Sequence, residues 1–154
     1  MSATPAIRLF GCFDAAQDAD LLALFRRQCG APGSTLAVVD WSREEEAHAG
    51  WEDKLRARLE RVDAFVVLCG EGTHAAGNVN REFGIAQQSG KPYVLVWGRR
   101  SASCTRPAGA LATDHFYTWT WDVLNEQIQG AIRHKLDPLG IERATLLGLR
   151  TKRP

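Results

Sequence analysis

AFVVLCGEGTHAAGNVNREFGIAQQSGKPYVLVWG, residues 64–98, carries two strands and the helix between them. Its first seven residues are an unbroken apolar run closed by glycine. Such a run is expected of a strand covered on both faces, and hence of a parallel strand in the middle of a sheet. The loop EGTHAAG follows, then a helix with Asn78 as its expected cap. Val79, Phe83 and Ala86 recur at spacings of four and three and form its apolar stripe. Ser89-Gly90 is the expected stop, and PYVLVWG (92–98) is the next strand. One residue disturbs the pattern: the carboxylate of Glu82 falls inside the apolar stripe, in what reads as the first turn.

The same alternation extends outward on both sides. AIRLFGCF (6–13) reads as strand one, and DADLLALFRRQC (18–29) as a helix whose apolar side is Leu21, Leu22, Leu24 and Phe25. GAPGS breaks the chain, and STLAVVD (34–40) is strand two. After the polar loop WSREEEAHAG (41–50) comes WEDKLRARLERVD (51–63), with Trp51, Leu55, Leu59 and Val62 at one-sided helical spacing. Residues 99–114 read as an irregular loop, HFYTWT (115–120) as a short fifth strand, and WDVLNEQIQGAIRHKL (121–136) as a last helix ended by Asp137-Pro138.

Strand-helix alternation with short connections calls for parallel strands and right-handed crossovers. The expected fold is therefore α/β: a flavodoxin-like, doubly wound, five-stranded parallel sheet of order 2-1-3-4-5 with helices on both faces. Residues 1–136 make one domain in this reading, and 137–154 a C-terminal tail.

A chain of 154 residues has room for one substantial core, and 45% hydrophobic with 24% charged residues is ordinary globular usage. The formal net charge of +1 gives no electrostatic footprint for nucleic acid or a membrane surface. Only RTKRP at the end is locally basic, as a solvated tail. The start, MSATPAIRLFGCFDAA, lacks the charged opening and the apolar run of about 7–15 residues that mark a signal peptide. No apolar run reaches the roughly 18 residues of a membrane span, so a cytoplasmic protein is expected. Cys12, Cys29, Cys69 and Cys104 include no C-x-x-C pair for zinc or redox work. Cys12 and Cys69 read as small buried hydrophobes, and no metal is expected.

In a doubly wound sheet the ligand crevice lies beyond the carboxyl ends of the strands, where the strand order reverses. That rule selects Phe13 and Asp14 after strand one, Gly70, Gly72, Thr73 and His74 after strand three, and the start of the following helix with Glu82. Gly70-Glu71-Gly72-Thr73 is able to bring backbone amides near a diphosphate. It is no dinucleotide fingerprint, since Ala75 stands where the third glycine belongs, and plain turn glycines explain it equally. Strand-end Asp14 and Asp40 with Lys91-Pro92 raise a phosphoacceptor receiver as an alternative, but in receivers Lys-Pro follows the fifth strand, whereas here it precedes the fourth.

LFGCFDAAQDADLLALF, VVDWSREE and the run from LRARLERVD through VVLCGEGT to VNREFGIA and GKP together resemble the bacterial TIR-like domains. The likeness is in particular to the stand-alone type that serves as signalling subunit in Thoeris anti-phage systems, over about residues 7–98. The resemblance implies a TIR fold and, in catalytic members, an NAD+ glycohydrolase or cyclase that cleaves the nicotinamide–ribose bond and releases an ADP-ribose-derived signal. NAD+ is then substrate and no cofactor is implied. The family's catalytic glutamate lands on Glu82. Many catalytic members carry a tryptophan at the position of Asn78, four residues earlier; Trp41, Trp97 and Phe13 are the aromatic residues available here instead, with Asn78 itself a substrate-side candidate. The first-strand motif also departs from the usual F-[IF]-S-F, reading Phe10-Gly11-Cys12-Phe13. The loop 41–50 occupies the place of the family's long gating and assembly loop, and its Glu44, Glu45 and Glu46 read as a solvated face.

Nicotinamide departs as a neutral ring and needs no strong acid. A carboxylate beside the developing ribose oxocarbenium ion is the group that helps. Burial raises the pKa of Glu82 and the helix dipole lowers it; the ionised form is the expected one near pH 7. Partners implied are NAD+, further copies of the chain through TIR–TIR contacts, and a separate effector protein that receives the signal. Two other classes stay open: a non-enzymatic TIR-like adaptor acting by homotypic assembly, and a nucleoside deoxyribosyltransferase-like enzyme, which shares the α/β sheet and a helix-borne glutamate before a GKP strand.

Overall fold

A computed structural model describes residues 6–43 and 49–136. Glu44, Glu45 and Glu46, expected as a solvated face, and the expected C-terminal tail 137–154 lie outside the described residues. In chain order the elements are β1 (Ile7–Cys12), α1 (Ala19–Cys29), β2 (Leu36–Trp41), α2 (Trp51–Glu60), β3 (Ala64–Cys69), α3 (Gly77–Gln88), β4 (Tyr93–Trp97), β5 (Phe116–Thr118) and α4 (Trp121–Leu136), with one 3-10 turn at Thr73–Ala75. The five strands form a single parallel sheet of order β2-β1-β3-β4-β5. This is the flavodoxin-like arrangement expected from the alternation of elements.

Every residue of β3 is buried, as its unbroken apolar run requires. Alternate side chains divide between two cores. Val66 and Leu68 join Leu9, Phe13, Leu21, Leu22, Phe25, Leu124 and Ile128 on the face covered by α1 and α4. Phe65, Val67 and Cys69 join Phe10, Cys12, Leu55, Leu59, Val79 and Phe83 on the face covered by α2 and α3. The second core is tied by aromatic contacts: Phe10 stacks on Phe65 at 5.2 Å, and Phe83 meets Tyr93 edge-on at 4.9 Å. In the first, Trp119 sets its edge against Phe25 at 6.0 Å and donates from Nε1 to Gln28 Oε1 at 2.7 Å.

The edge strand β2 carries an irregularity with consequences for the site. Leu9 pairs with Val38 but Phe10 pairs with Asp40, so Val39 is an extra residue. A bulge of this kind shifts the two-residue period by one. Before it, Leu36 and Val38 face the α1 core; after it, Trp41 faces that core and Asp40 turns to the α2 side. Ser42, two residues on from Asp40, shares its side.

α3 begins two residues earlier than expected, at Gly77, with Ala76 in the extended conformation at the cap position. Asn78 is therefore inside the helix and does not cap it, and Glu82 is its sixth residue, in the second turn. The far end is as expected. The Gly90 amide donates to Gln87 O and the Lys91 amide to Ala86 O, with Gly90 at φ +66°. This paired closure needs a left-handed residue, which glycine supplies without steric cost.

Candidate active site

Glu82 projects from α3 toward the carboxyl ends of β1 and β2 and is only 8% exposed. Ser42 Oγ donates to Glu82 Oε1 at 2.5 Å, and the Cys12 thiol donates to the same oxygen at 3.4 Å. Ser42 Oγ in turn accepts the Phe13 amide at 3.1 Å, and its own amide donates to Gly11 O. The Phe13 carbonyl accepts Asn78 Nδ2 at 2.8 Å, and Asn78 Oδ1 accepts the Ala15 amide at 3.4 Å. Asn78 thus pins the loop after β1 to α3, one turn below Glu82.

Burial pushes the carboxyl of Glu82 up to about 7, against the opposing effects of the Ser42 and Cys12 donors, the Arg58 charge and Asn78. The dipole of α3 does not keep it low. Glu82 stands beyond the first turn, whose unpaired amides carry most of the positive end. The neutral form is therefore far better represented near pH 7 than in an exposed glutamate, whereas the ionised form was expected to dominate. The Cys12 thiol is pushed well above its ordinary value by burial and by the nearby carboxylate, so it remains a donor through neutral pH. Arg58 reaches in from α2 with Nε and Nη2 each 2.8 Å from a carboxylate oxygen of Asp40, and Nη2 also donates to Trp41 O at 2.9 Å.

The other half of the crevice is the loop after β3. The Gly70 amide donates to Thr73 Oγ1 at 2.8 Å, and Thr73 is fully buried. Thr105 crosses from the 99–114 segment. Its amide donates to Gly70 O, its hydroxyl to Glu71 O, and its Oγ1 accepts the His74 amide at 3.0 Å and lies 3.0 Å from His74 Nδ1. Asp14 Oδ1 accepts the Ala16 amide, and its other oxygen faces Gly72. Asp18 is buried against Gly70 and paired through Oδ1 with Arg99 Nη2 at 2.7 Å; Arg99 also grips Asp20. The amides of Gly70, His74, Ala75 and Ala76 are all bonded within the protein.

The sequence-selected residues fall into three groups. Glu82 and Asn78, with the backbone of Phe13, meet around one carboxylate. Gly70, Gly72, Thr73, His74 and Asp14 line the neighbouring loop. The aromatic rings are engaged elsewhere: Phe13 is 5% exposed within the α1 core, and Trp41 lies on that same face under the Arg26 guanidinium at 4.2 Å. Trp97 packs against Phe116 at 4.9 Å and donates to Arg99 O. Among the described residues no His, Cys, Asp and Glu side chains converge as a metal site.

Residues 10–103 match the family model described as Thoeris protein ThsB, TIR-like domain. The chain belongs to that family. The match runs from within β1 to beyond β4 and so includes Glu82, Ser42, Asn78 and Arg99, while Thr105 lies just beyond it. It links this TIR-like chain to Thoeris anti-phage defence. No curated protein matches the chain significantly. No helix among the described residues is long and apolar enough to cross a membrane.

Sequence reasoning missed Ser42, Arg58, Arg99 and Thr105, and took Cys12 for a hydrophobe without a polar role. Ser42 could have been found from the spacing of Leu36, Val38 and Trp41. The step from two to three residues marks a bulge and turns the residues after it to the other face. Thr105 has no comparable signal, because its partners are backbone groups.

Proposed function

We propose that this Thoeris TIR-like protein is an NAD+ glycohydrolase or ADP-ribosyl cyclase in which Glu82 is the catalytic residue. The bond between ribose C1′ and the nicotinamide nitrogen breaks, and its electron pair leaves with the ring as neutral nicotinamide. The ribose oxocarbenium ion left behind is taken by water, which loses a proton, or by a nucleophile of the same ADP-ribose, which closes a ring. In a desolvated setting a carboxylate stabilises that cation far more strongly than it does in water.

The observation that carries this reading is the buried Glu82 carboxylate at the switch point, fixed through one oxygen by Ser42 and Cys12. The carboxylate of Asp14 beside Gly72 suits the cationic nicotinamide ring, and the amides of Gly70, His74, Ala75 and Ala76 are already bonded within the protein and so are not offered to the diphosphate. The product is an ADP-ribose-derived signal for a separate effector protein, made in the cytoplasm, and further copies of the chain are assembly partners.

The test is incubation with NAD+ and chromatography of free nicotinamide, for wild type and Glu82→Gln. Loss of roughly a hundredfold or more in rate is expected of the variant, and a rate little altered overturns the assignment. Absence of nicotinamide at high protein concentration and with an activating trigger points instead to a homotypic adaptor. Base exchange between deoxynucleosides points to a deoxyribosyltransferase.

A further inference from the structure

Ser42 lies forty residues from Glu82 in sequence and reaches it only because Val39 is bulged out of β2. A regular strand would keep Asp40 and Ser42 on the α1 side and leave the carboxylate without its hydroxyl donor. The hydroxyl has one proton and a fixed acceptor duty. Phe13 N–H donates to Oγ at 3.1 Å, so the Ser42 proton is free to go to Glu82 Oε1. Phe13 is itself held from the other side, through its carbonyl, by Asn78. The chain of contacts Asn78, Phe13, Ser42, Glu82 closes a ring that joins α3 to the ends of β1 and β2.

We propose that Ser42 is a positioning residue of this site: its hydroxyl, oriented by the Phe13 amide, fixes the Glu82 carboxylate and selects the form in which it acts on substrate. The inference rests on Glu82 being the catalytic residue. A hydroxyl that donates to a carboxylate favours the charged form over the neutral acid. The other groups that bear on Glu82 are the Cys12 thiol from β1, Arg58 from α2 and the Asn78 amide from α3 itself, with Asp40 of β2 holding the Arg58 fork. Cys12 sits 3.4 Å from the oxygen, with a thiol, a weak donor. Arg58 divides its charge between Asp40 and Glu82. Ser42 is the short, strong donor of the set.

The experiment follows the titration of Glu82 by carbon-13 NMR of glutamate side-chain carboxyls, assigned through Glu82→Gln, in wild type, Ser42→Ala and Ser42→Thr. The hydrogen-bond strength lost predicts an upward move of about one to two pH units in Ser42→Ala, with Ser42→Thr close to wild type. The pH–rate profile for nicotinamide release should move its acid limb by the same amount. At pH 7 that is a fall of roughly five- to fifty-fold, recovered at alkaline pH. A merely structural role would lower the rate at every pH and leave the limb in place. Should Ser42→Ala fail to fold, Ser42→Cys has nearly the same volume and carries the same test. An unmoved Glu82 titration overturns the role of Ser42, and so does a titration that moves without the rate profile. Wild type that releases no nicotinamide overturns the catalytic reading instead, and the NMR titration separates the two failures.

Discussion

The carboxylate of Asp18 lies against the bare Cα of Gly70, so close that a Cβ on the glycine would stand 2.3 Å from Oδ2 and 2.6 Å from Oδ1. Asp18 has little freedom to withdraw. It is 3% exposed, and Arg99 holds Oδ1 from the end of β4. Burial raises its carboxyl above the ordinary value despite that pairing. Gly70→Ala is therefore expected to cost about 1–3 kcal/mol, the range for overpacking a closed site. Urea unfolding should show a lowered midpoint with unchanged slope; a midpoint equal to wild type would contradict the contact.

Arg58 and Asp40 make a bidentate pair in a half-buried setting, and the same guanidinium donates to the Trp41 carbonyl and lies over the Phe10 ring. Replacing Arg58 by methionine keeps much of the packing but leaves Asp40 facing the interior without its fork. The expected loss is about 1–3 kcal/mol, between the values for exposed and buried pairs. A double-mutant cycle with Asp40→Asn should return a coupling of at least about 1 kcal/mol. Additive single losses would mean that the pair contributes nothing beyond its members.

The sheet order, the helix positions and the glutamate in the α3 stripe were all legible in the sequence, for a common reason. Each is a matter of period and burial over several residues, and β3 with its six buried positions gives the strongest such pattern. The surroundings of Glu82 were not legible, because they depend on single contacts between distant segments. The Asn78 side chain was read as a cap; its amide instead bridges to Phe13, since the helix begins two residues earlier at Gly77. Ser42 required the bulge at Val39, and Arg99 required the fold to bring the start of α1 beside the end of β4. The dipole of the first turn was expected to hold Glu82 ionised, but a shift of two residues in the start of α3 places it in the second turn.

Asn78→Ala removes both bonds that hold the loop after β1. The Phe13 carbonyl would lose its donor and the Ala15 amide its acceptor. One lost bond to a partly buried backbone group costs about 1–3 kcal/mol. Native-state hydrogen exchange at residues 13–16 should accelerate by roughly tenfold or more, with β3 amides much less affected. Equal acceleration in both regions would show that Asn78 stabilises the whole domain and does not pin this loop in particular.

Glu82 makes the stability of the protein depend on pH in a direction opposite to most carboxylates. Its folded value of about 7 lies above the ordinary glutamate value of 4.5. Between those limits the native state binds a proton that the unfolded chain has released, so stability is fully present below pH 4.5 and is lost as pH rises through 7. The difference corresponds to an upper limit on the order of 3 kcal/mol by pH 8. Glu82→Gln removes the titration while keeping an acceptor oxygen for Ser42 and Cys12. The variant should therefore melt several degrees above wild type at pH 8, and the gap should close by pH 5. Stabilisation of that kind, alongside lost activity, is what a buried functional carboxylate imposes. A gap independent of pH would mean that Glu82 is already ionised in the folded protein throughout this range.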